Sequence, residues 1–301
     1  MYRTGDPTIM ATAAQAYLAF PTKVALRAPG SQAEMEPEDG GQYGLRLSLY
    51  IPELNETELS FYYMNYHSRR PIFSGVTSDF SAASLGNDLA YLGGNTITEE
   101  NLYSNLAAFS QVQLVYPEDI QLYALSFNTT LGTTAFAGEI SYRIDEPLQK
   151  DDIELLFAAM PQQLANSGAR PDLDGISQIE VVGPGTSADG YILSDTVQAQ
   201  FTLTHLFGPT LGASQFVTLL EVGAININNM PDPSELRLNG PGTARSGGIE
   251  GKEGLELAIQ NGVETNPFPS EFAWGYRLVT KLSYDNVFAG INISPRMVFS
   301  H

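Results

Sequence analysis

Apolar and polar residues alternate along several segments of this chain. In the segment 194–207, a polar row of Gln and Thr alternates with an apolar row made of Val197, Ala199, Phe201 and Leu203. Because successive side chains of a β-strand point to opposite faces of the sheet, this pattern predicts a strand with one apolar face. The segment 288–299 repeats the alternation until Pro295, which predicts a bulge or a strand end there.

Short polar stretches join these segments in pairs, which predicts four β-hairpins. The paired segments are 42–51 with 57–67, 119–129 with 133–144, 194–207 with 213–226, and 275–284 with 288–299. The predicted turns are 52–56, 130–132, 208–212 and 285–287. Long loops separate the hairpins at 68–118, 145–193 and 227–274, and residues 1–41 are predicted to be an irregular lead-in.

This alternation of short turns and long loops predicts an all-β fold, an antiparallel up-and-down transmembrane β-barrel. Such barrels have strands of about ten residues, short periplasmic turns and long extracellular loops. Aromatic residues near the predicted strand ends agree with the interfacial girdles of these barrels; they are Tyr43, Tyr142, Phe207, Trp274, Tyr276, Tyr284 and Phe288. A soluble antiparallel sandwich also alternates and stays open as an alternative, although three loops of this length are unusual for it.

The long loops are predicted to be partly helical. A capping box predicts one helix at 96–109, and an aspartate cap predicts another at 148–166. The capping residues are Thr96 with Glu99 in the first helix, and Asp151 or Asp152 in the second, which Pro161 should stop. Each helix has one apolar stripe that must be covered, either in the barrel mouth as a partial plug or by the other loops above the rim. The Gly- and Pro-rich residues 239–254 are predicted to be irregular or mobile.

Composition fits one barrel domain over residues 1–301. No apolar run reaches the roughly 18 residues of a spanning helix, although 43% of the chain is hydrophobic. A net charge of −19 argues against nucleic-acid binding, and the absence of cysteine excludes disulfides and thiolate chemistry. The first residues lack the basic start and apolar core of a signal peptide, and the last ones stop within a predicted strand. We therefore expect that the chain is truncated at both ends.

Signals for catalysis are weak. The chain has three histidines, no G-x-S-x-G elbow and no H-E-x-x-H spacing. His67 and Ser68 are adjacent on a predicted strand and should point to opposite faces, so they do not suggest a catalytic pair. We therefore predict no enzyme activity, no catalytic residues, no cofactor and no metal site.

The polar rows of the predicted strands supply candidates for the lining of a barrel lumen, where they would contact a ligand. These candidates are Arg46, Glu139, Arg143, Glu221, Arg277, Lys281 and Arg296. Cations outnumber acids among them, which favours anionic solutes through the local potential. The alternative is that the cations pair with interior acids and only make the barrel rigid.

A second group of candidates lies where the strand 57–67 leaves the predicted membrane band. It consists of His67, Arg69 and Arg70. Two roles stay open for this basic rim: contact with anionic lipid head groups, or a place where ligands enter the barrel.

Several blocks resemble a proteobacterial outer-membrane family known as domain of unknown function 1302. The blocks are FYYMNYHSRRP at 61–71, YPEDI at 116–120, LSFNTTLGTTA at 125–135, GEISYR at 138–143 and NVFAGINISPR at 286–296. The similarity runs from about Gln42 onward, and members of the family are longer at both ends. The resemblance implies an exported barrel in the outer membrane of Gram-negative bacteria.

The resemblance also implies a class of function. Genes of relatives often lie near those for periplasmic lipid-handling proteins and resistance-nodulation-type exporters. This leads us to expect a barrel that transports or binds hydrophobic or amphipathic molecules, including anionic lipids. The expected partners are outer-membrane lipid, hydrophobic small molecules and a periplasmic lipid-handling protein. Alternatives are a structural or partner-binding barrel without flux, an outer-membrane lipid hydrolase, and a soluble sandwich.

Overall fold

The computed structural model describes residues 25–27, 33–96, 106–180, 182–240, 245–252, 254–255, 262–264 and 268–301. Its strands are β1 Ala25–Arg27, β2 Glu34–Met35, β3 Tyr43–Ile51, β4 Thr57–Tyr66, β5 Ile72–Val76, β6 Ser110–Val115, β7 Ile120–Leu131, β8 Thr134–Gln149, β9 Ser187–Ala188, β10 Tyr191–Thr210, β11 Ala213–Ile227, β12 Phe272–Phe288, β13 Ile291–Ile293 and β14 Arg296–Ser300. The helices are α1 Ala82–Gly94, α2 Asp152–Ala159 and α3 Pro161–Asn166, followed by a 3-10 turn at Pro171–Leu173.

The larger of two sheets is an antiparallel meander. Its order is β3-β4-β7-β8-β10-β11-β12, and β13 and β14 both pair with the far side of β12. Every neighbouring pair follows the chain, so the four predicted hairpins and the all-β class are confirmed. Within the described residues the sheet is open, with one edge at β3 and the other at β13 and β14.

The strand ends differ from the prediction mainly in length. β8 runs on to Gln149 and β10 begins at Tyr191, so both extend past their predicted ends towards the long loops. The predicted turn at 285–287 is wrong, because β12 continues to Phe288 and the chain reverses at Ala289 and Gly290. Both turn residues have positive φ angles, as a tight hairpin turn requires. The break expected at Pro295 is found between β13 and β14.

The ladder register gives the large sheet one apolar and one polar face, because residues opposite each other in a ladder share a face. One apolar row crosses β3, β4, β7, β8, β10, β11 and β12 as Leu47, Phe61, Leu125, Ile140, Ala199, Ala224 and Trp274. The neighbouring polar row contains Arg46, Tyr62, Ala124, Ser141 and Gln198. The apolar face is open: Leu47 is 56% exposed and Trp274 is 55% exposed.

The long loops all leave the same rim of the meander and fold together. β5, β6 and β9 form a small sheet, to which β1 and β2 add parallel strands beside β6. We call this sheet, the three helices and their connecting segments the cap. The lead-in was expected to be irregular, but β1 and β2 lie within it and belong to the cap, because β6 offers them a free edge.

The cap has its own apolar core, built from segments far apart in sequence. Phe157, Met160 and Leu164 of the second long loop pack with Phe80 of the first and Leu255 of the third. A second cluster joins Leu155, Ala158, Ile179 and Ala188 with partly buried Leu236. Of the two alternatives for covering the predicted helices, packing of the long loops against one another is observed.

The helices themselves follow the prediction only in part. Asp151 caps α2 as expected, but Pro161 begins α3 instead of ending the helical region, because proline fits the first turn of a helix. Most of the helix predicted at 96–109 lies outside the described residues, and its last residues 106–109 form a turn. α1 was not predicted; its sequence is rich in Gly and only Asp88 is buried, so it lacks a clear apolar stripe.

Candidate functional site

The polar face of the large sheet brings the predicted lumen residues together. Arg46, Glu139, Arg143, Glu221, Arg277, Lys281 and Arg296 all lie on this face. Alternation along each strand therefore assigned these side chains to the correct face. Alternation does not indicate which of these charges are neutralised by a side chain on a neighbouring strand.

Arg46 is neutralised by an acid that sequence reasoning did not select. Its Nη2 atom donates to Glu58 Oε1 at 2.9 Å and to Ser60 Oγ at 3.2 Å. Its guanidinium carbon lies 5.4 Å from the centre of the Tyr62 ring, a cation–π distance. Glu58 was missed because alternation in β4 is irregular, with polar and aromatic residues on the same face.

Arg143 is also partnered. Its Nη1 atom donates to Gln198 Oε1 at 3.2 Å and lies 4.0 Å from Glu146 Oε2. The ladder between β8 and β10 shifts register here, and Asp145 has a positive φ angle. A bulge of this kind re-aims the following side chains, which explains why the position of Glu146 could not be deduced from alternation.

The cations on β12 and β14 have a different environment. In the described part of the chain, no ion pair involves Arg277, Lys281 or Arg296. Glu221 lies opposite Arg277 in the ladder, but its Oε1 atom accepts a hydrogen bond from Gln200 Nε2. The cations of the polar face are therefore partnered on the β3 to β8 side, where Glu139 is exposed and takes part in no described ion pair. An excess of positive charge lies at β12 and β14.

His67 of the predicted rim group is a buried structural residue. The backbone N–H of Asp119 donates to its Nδ1 atom at 3.1 Å, and its Nε2 atom lies 2.7 Å from Gly40 O. Since Nδ1 accepts, Nε2 carries the proton and donates to Gly40. The imidazole thus ties the start of β7 to the segment before β3. Arg69 and Arg70 are exposed at the same rim.

His205, which lies near the short-turn end of β10, does not suggest hydrolysis either. His205 lies on the apolar face, where its Nδ1 atom is 2.6 Å from Thr134 Oγ1 and its ring packs on Phe207. Over the described residues, neither His67 nor His205 has a serine hydroxyl or a carboxylate within hydrogen-bond distance. Among those residues there is also no group of three potential metal ligands. None of the helices described is both long and apolar enough to cross a bilayer.

A buried ion pair holds the cap together. Arg237 Nη1 donates to Glu154 Oε1 at 2.9 Å, and the Glu154 side chain is fully buried. The other carboxylate oxygen accepts from the backbone N–H of Gln178, and Arg237 Nη2 donates to Gly248 O. The guanidinium also lies 5.7 Å from the Phe268 ring centre. Glu154 and Arg237 are 83 residues apart, and no local pattern in the sequence indicates this pairing.

Asp151, the cap residue of α2, is fully buried beside this ion pair. Its Oδ1 atom accepts from the N–H groups of Ile153 and Glu154 at 3.0 Å, while Oδ2 has no hydrogen-bond partner. Burial raises the pKa of this carboxyl to about 6, and the charges of Asp152 and Glu154 act in the same direction. Burial with one unbonded oxygen destabilises the ionised form of this carboxyl at neutral pH.

This raised pKa predicts that the cap is more stable in weak acid. A carboxyl whose pKa is higher in the folded than in the unfolded state stabilises the fold below pH 4, and this stabilisation is lost as the pH rises through 6. Asp151→Asn keeps the capping acceptor and removes the ionisation, so at pH 8 it should stabilise the cap by about 2 kcal/mol. Hydrogen exchange of the α2 amides at pH 5 and pH 8, corrected for intrinsic rates, measures this. Equal protection of the natural protein at both pH values would contradict it.

The model of the family described as "Protein of unknown function (DUF1302)" matches residues 2–301. No curated protein and no solved structure matches the chain significantly.

Proposed function

The chain belongs to the DUF1302 family, and from this premise we propose that it forms an outer-membrane β-barrel that transports or binds hydrophobic and amphipathic molecules. The observation that carries the proposal is the exposed apolar face of the large sheet. A water-soluble protein rarely exposes an apolar surface of more than a few hundred Å². Here apolar side chains cross the whole width of the sheet and remain open to solvent.

Aromatic residues near the two rims of the apolar face mark the height of the band that would lie in the membrane. Near the long-loop rim, Tyr63 and Tyr123 lie side by side with ring centres 4.9 Å apart, and Tyr276 lies near the same rim on β12. Near the short turns, Phe207 stacks on Phe216 at 4.5 Å. From Tyr276 to Tyr284, each about four residues inside an end of β12, the strand rises about 27 Å. A strand tilt of about 40° reduces this to about 20 Å, close to the apolar band of about 25 Å in such barrels.

The free sheet edges set a condition on the proposal. In hydrocarbon every backbone N–H and C=O must be paired, so the outer edges of β3 and β14 need partner strands. The meander makes β3 and β14 antiparallel, which is the orientation that closure requires. Eight strands close around a lumen filled by side chains, whereas a ligand channel needs more. Transport, as distinct from binding, therefore requires further strands at these edges.

Two measurements on the detergent-extracted protein test this function. A closed barrel should migrate faster on a gel when it is not boiled, because it resists the detergent. The protein should then be reconstituted in vesicles, where it should speed uptake of the hydrophobic dye N-phenyl-1-naphthylamine, with empty vesicles as the control. A single unchanged gel band from a protein that is soluble without detergent would overturn the membrane barrel.

Binding of a partner without flux is the second candidate, and one observation favours it. On α1, Leu85 and Leu89 stand one turn apart and are exposed, Leu89 by 67%, so the cap presents an apolar patch to solvent. A folded barrel that leaves dye uptake unchanged would support this role over transport. The lipid-hydrolase alternative has no such support from the histidine environments.

A further inference from the structure

The polar face is not polar throughout. On β11, β12 and β14, Leu219, Val279 and Val298 lie opposite one another and form an apolar row on this face. Charged residues lie in the rows on either side of it. One row is cationic and contains Lys281 with Arg296, and the other contains Arg277 opposite Glu221.

The β3 to β8 side of the polar face differs in the state of its cations. One row there carries Ser48, Ser60 and Ser126. Met64 and Leu122 lie opposite each other in the row of Arg143, but that guanidinium is already bonded to Gln198. Adjacent side chains on one face of a strand are about 6.6 Å apart along the strand. The apolar row therefore lies about 6.6 Å from the cationic row of Lys281 and Arg296 on one side, and about 6.6 Å from the row of Arg277 on the other. Its three members span about 10 Å across the strands.

Lys281 and Arg296 face each other directly in the ladder. Like charges at opposed positions destabilise a sheet, unless a counter-charge lies between them. Glu221, in the row of Arg277, is two rows away from Lys281 and is bonded to Gln200. Both cations are exposed, and no ion pair in the described part of the chain involves either of them, so both are accessible to an anion from outside the protein.

We propose that these rows form a binding site for amphipathic anions, molecules with an anionic head group on an aliphatic chain. Lys281 and Arg296 hold the head group, and the chain lies along Leu219, Val279 and Val298, with Arg277 at its far side. This site rests on the proposed function and narrows it, because it names the part of the polar face that selects the solute. Charge complementarity favours a carboxylate or a phosphate as the head group of the ligand. The apolar row favours an aliphatic chain over a sugar as the rest of the ligand.

Calorimetry with the full chain folded in non-ionic detergent tests the site. Laurate, dodecyl phosphate and uncharged dodecanol serve as probes that differ only in the head group. Both anions should bind more tightly than dodecanol, and the tighter of the two identifies the head group. The double variant Lys281→Gln, Arg296→Gln should weaken anion binding about tenfold or more and leave dodecanol unchanged, because two charged hydrogen-bond donors are lost.

Arg46→Gln is the matched control, since it removes a cation from the same face that Glu58 already neutralises. It should leave anion binding unchanged, whereas Val279→Thr with Val298→Thr should weaken all three probes. If the double cation variant binds laurate like the natural protein, or Arg46→Gln weakens it equally, the site is wrong. Equal binding of dodecanol and the anions overturns this site alone. Failure of all three probes, with no dye uptake in vesicles, overturns the proposed function as well.

Discussion

Replacement of Arg237 by methionine is expected to destabilise the cap by about 3–5 kcal/mol. The reason is the charge that stays behind. Glu154 is fully buried, and Arg237 is its only cationic partner among the described residues. Removal of one member of a buried ion pair leaves an uncompensated charge at low dielectric, and that penalty exceeds the value of the pair itself. Methionine keeps much of the volume of the side chain, so lost packing contributes little.

The effect should be local to the cap. We expect that hydrogen exchange of α2 and of residues 236–238 speeds up strongly, while exchange in the large sheet is unchanged. Arg170→Met is the matched control, because Arg170 bonds Asp172 at the surface of the same cap. An exposed pair of this kind contributes about 1 kcal/mol or less. The double variant Glu154→Leu with Arg237→Met should regain part of the loss, since it leaves no buried charge.

Two outcomes would contradict this account. Equal effects of Arg237→Met and Arg170→Met would mean that burial does not decide the strength of the pair. Loss of protection throughout the large sheet would mean that the cap and the meander unfold as one unit. The predicted locality follows from the separate apolar cores of the cap, whose members come mainly from the long loops.

The strands could be predicted from the sequence because their signal is local. In β10 each apolar residue is two positions from the next, and that period alone indicates the face on which Phe201 and Gln200 lie. Turn positions were harder to predict. The ladder between β12 and β13 shifts register between Tyr284 and Phe288, and the hairpin turn therefore lies at Gly290. No periodicity in the sequence reports such a shift.

The charge pattern of the polar face could be predicted only in part. Alternation gave the face of Arg46 and Arg143, but their partners Glu58 and Glu146 depend on cross-strand register and on a bulge. The cap was still harder to predict, since Glu154 and Arg237 meet across loops without regular periodicity. The apolar row of Leu219, Val279 and Val298 becomes visible only when three strands are aligned.

A single arginine placed on either face of the sheet should show which face meets lipid. Ala199 lies on the apolar face opposite Ile140, and Ala124 lies on the polar face opposite Ser141, one residue further along β8. Both alanines are half-buried and at nearly the same depth, so the two substitutions differ mainly in the face they alter. Arginine near the middle of the lipid-facing surface of a barrel costs about 2–4 kcal/mol, whereas the lumen side tolerates it.

We therefore expect that Ala199→Arg lowers the free energy of unfolding in lipid vesicles by about 2–4 kcal/mol, while Ala124→Arg lowers it by about 1 kcal/mol or less. Denaturant titration of the folded protein in vesicles, followed by the fluorescence of the single Trp274, measures both. If the two variants lose the same stability, the apolar face does not meet hydrocarbon. If Ala124→Arg loses more stability than Ala199→Arg, the polar face is the one that meets lipid. Arg277, Lys281 and Arg296 then cannot line a lumen. The pair thus tests the orientation on which both proposals depend.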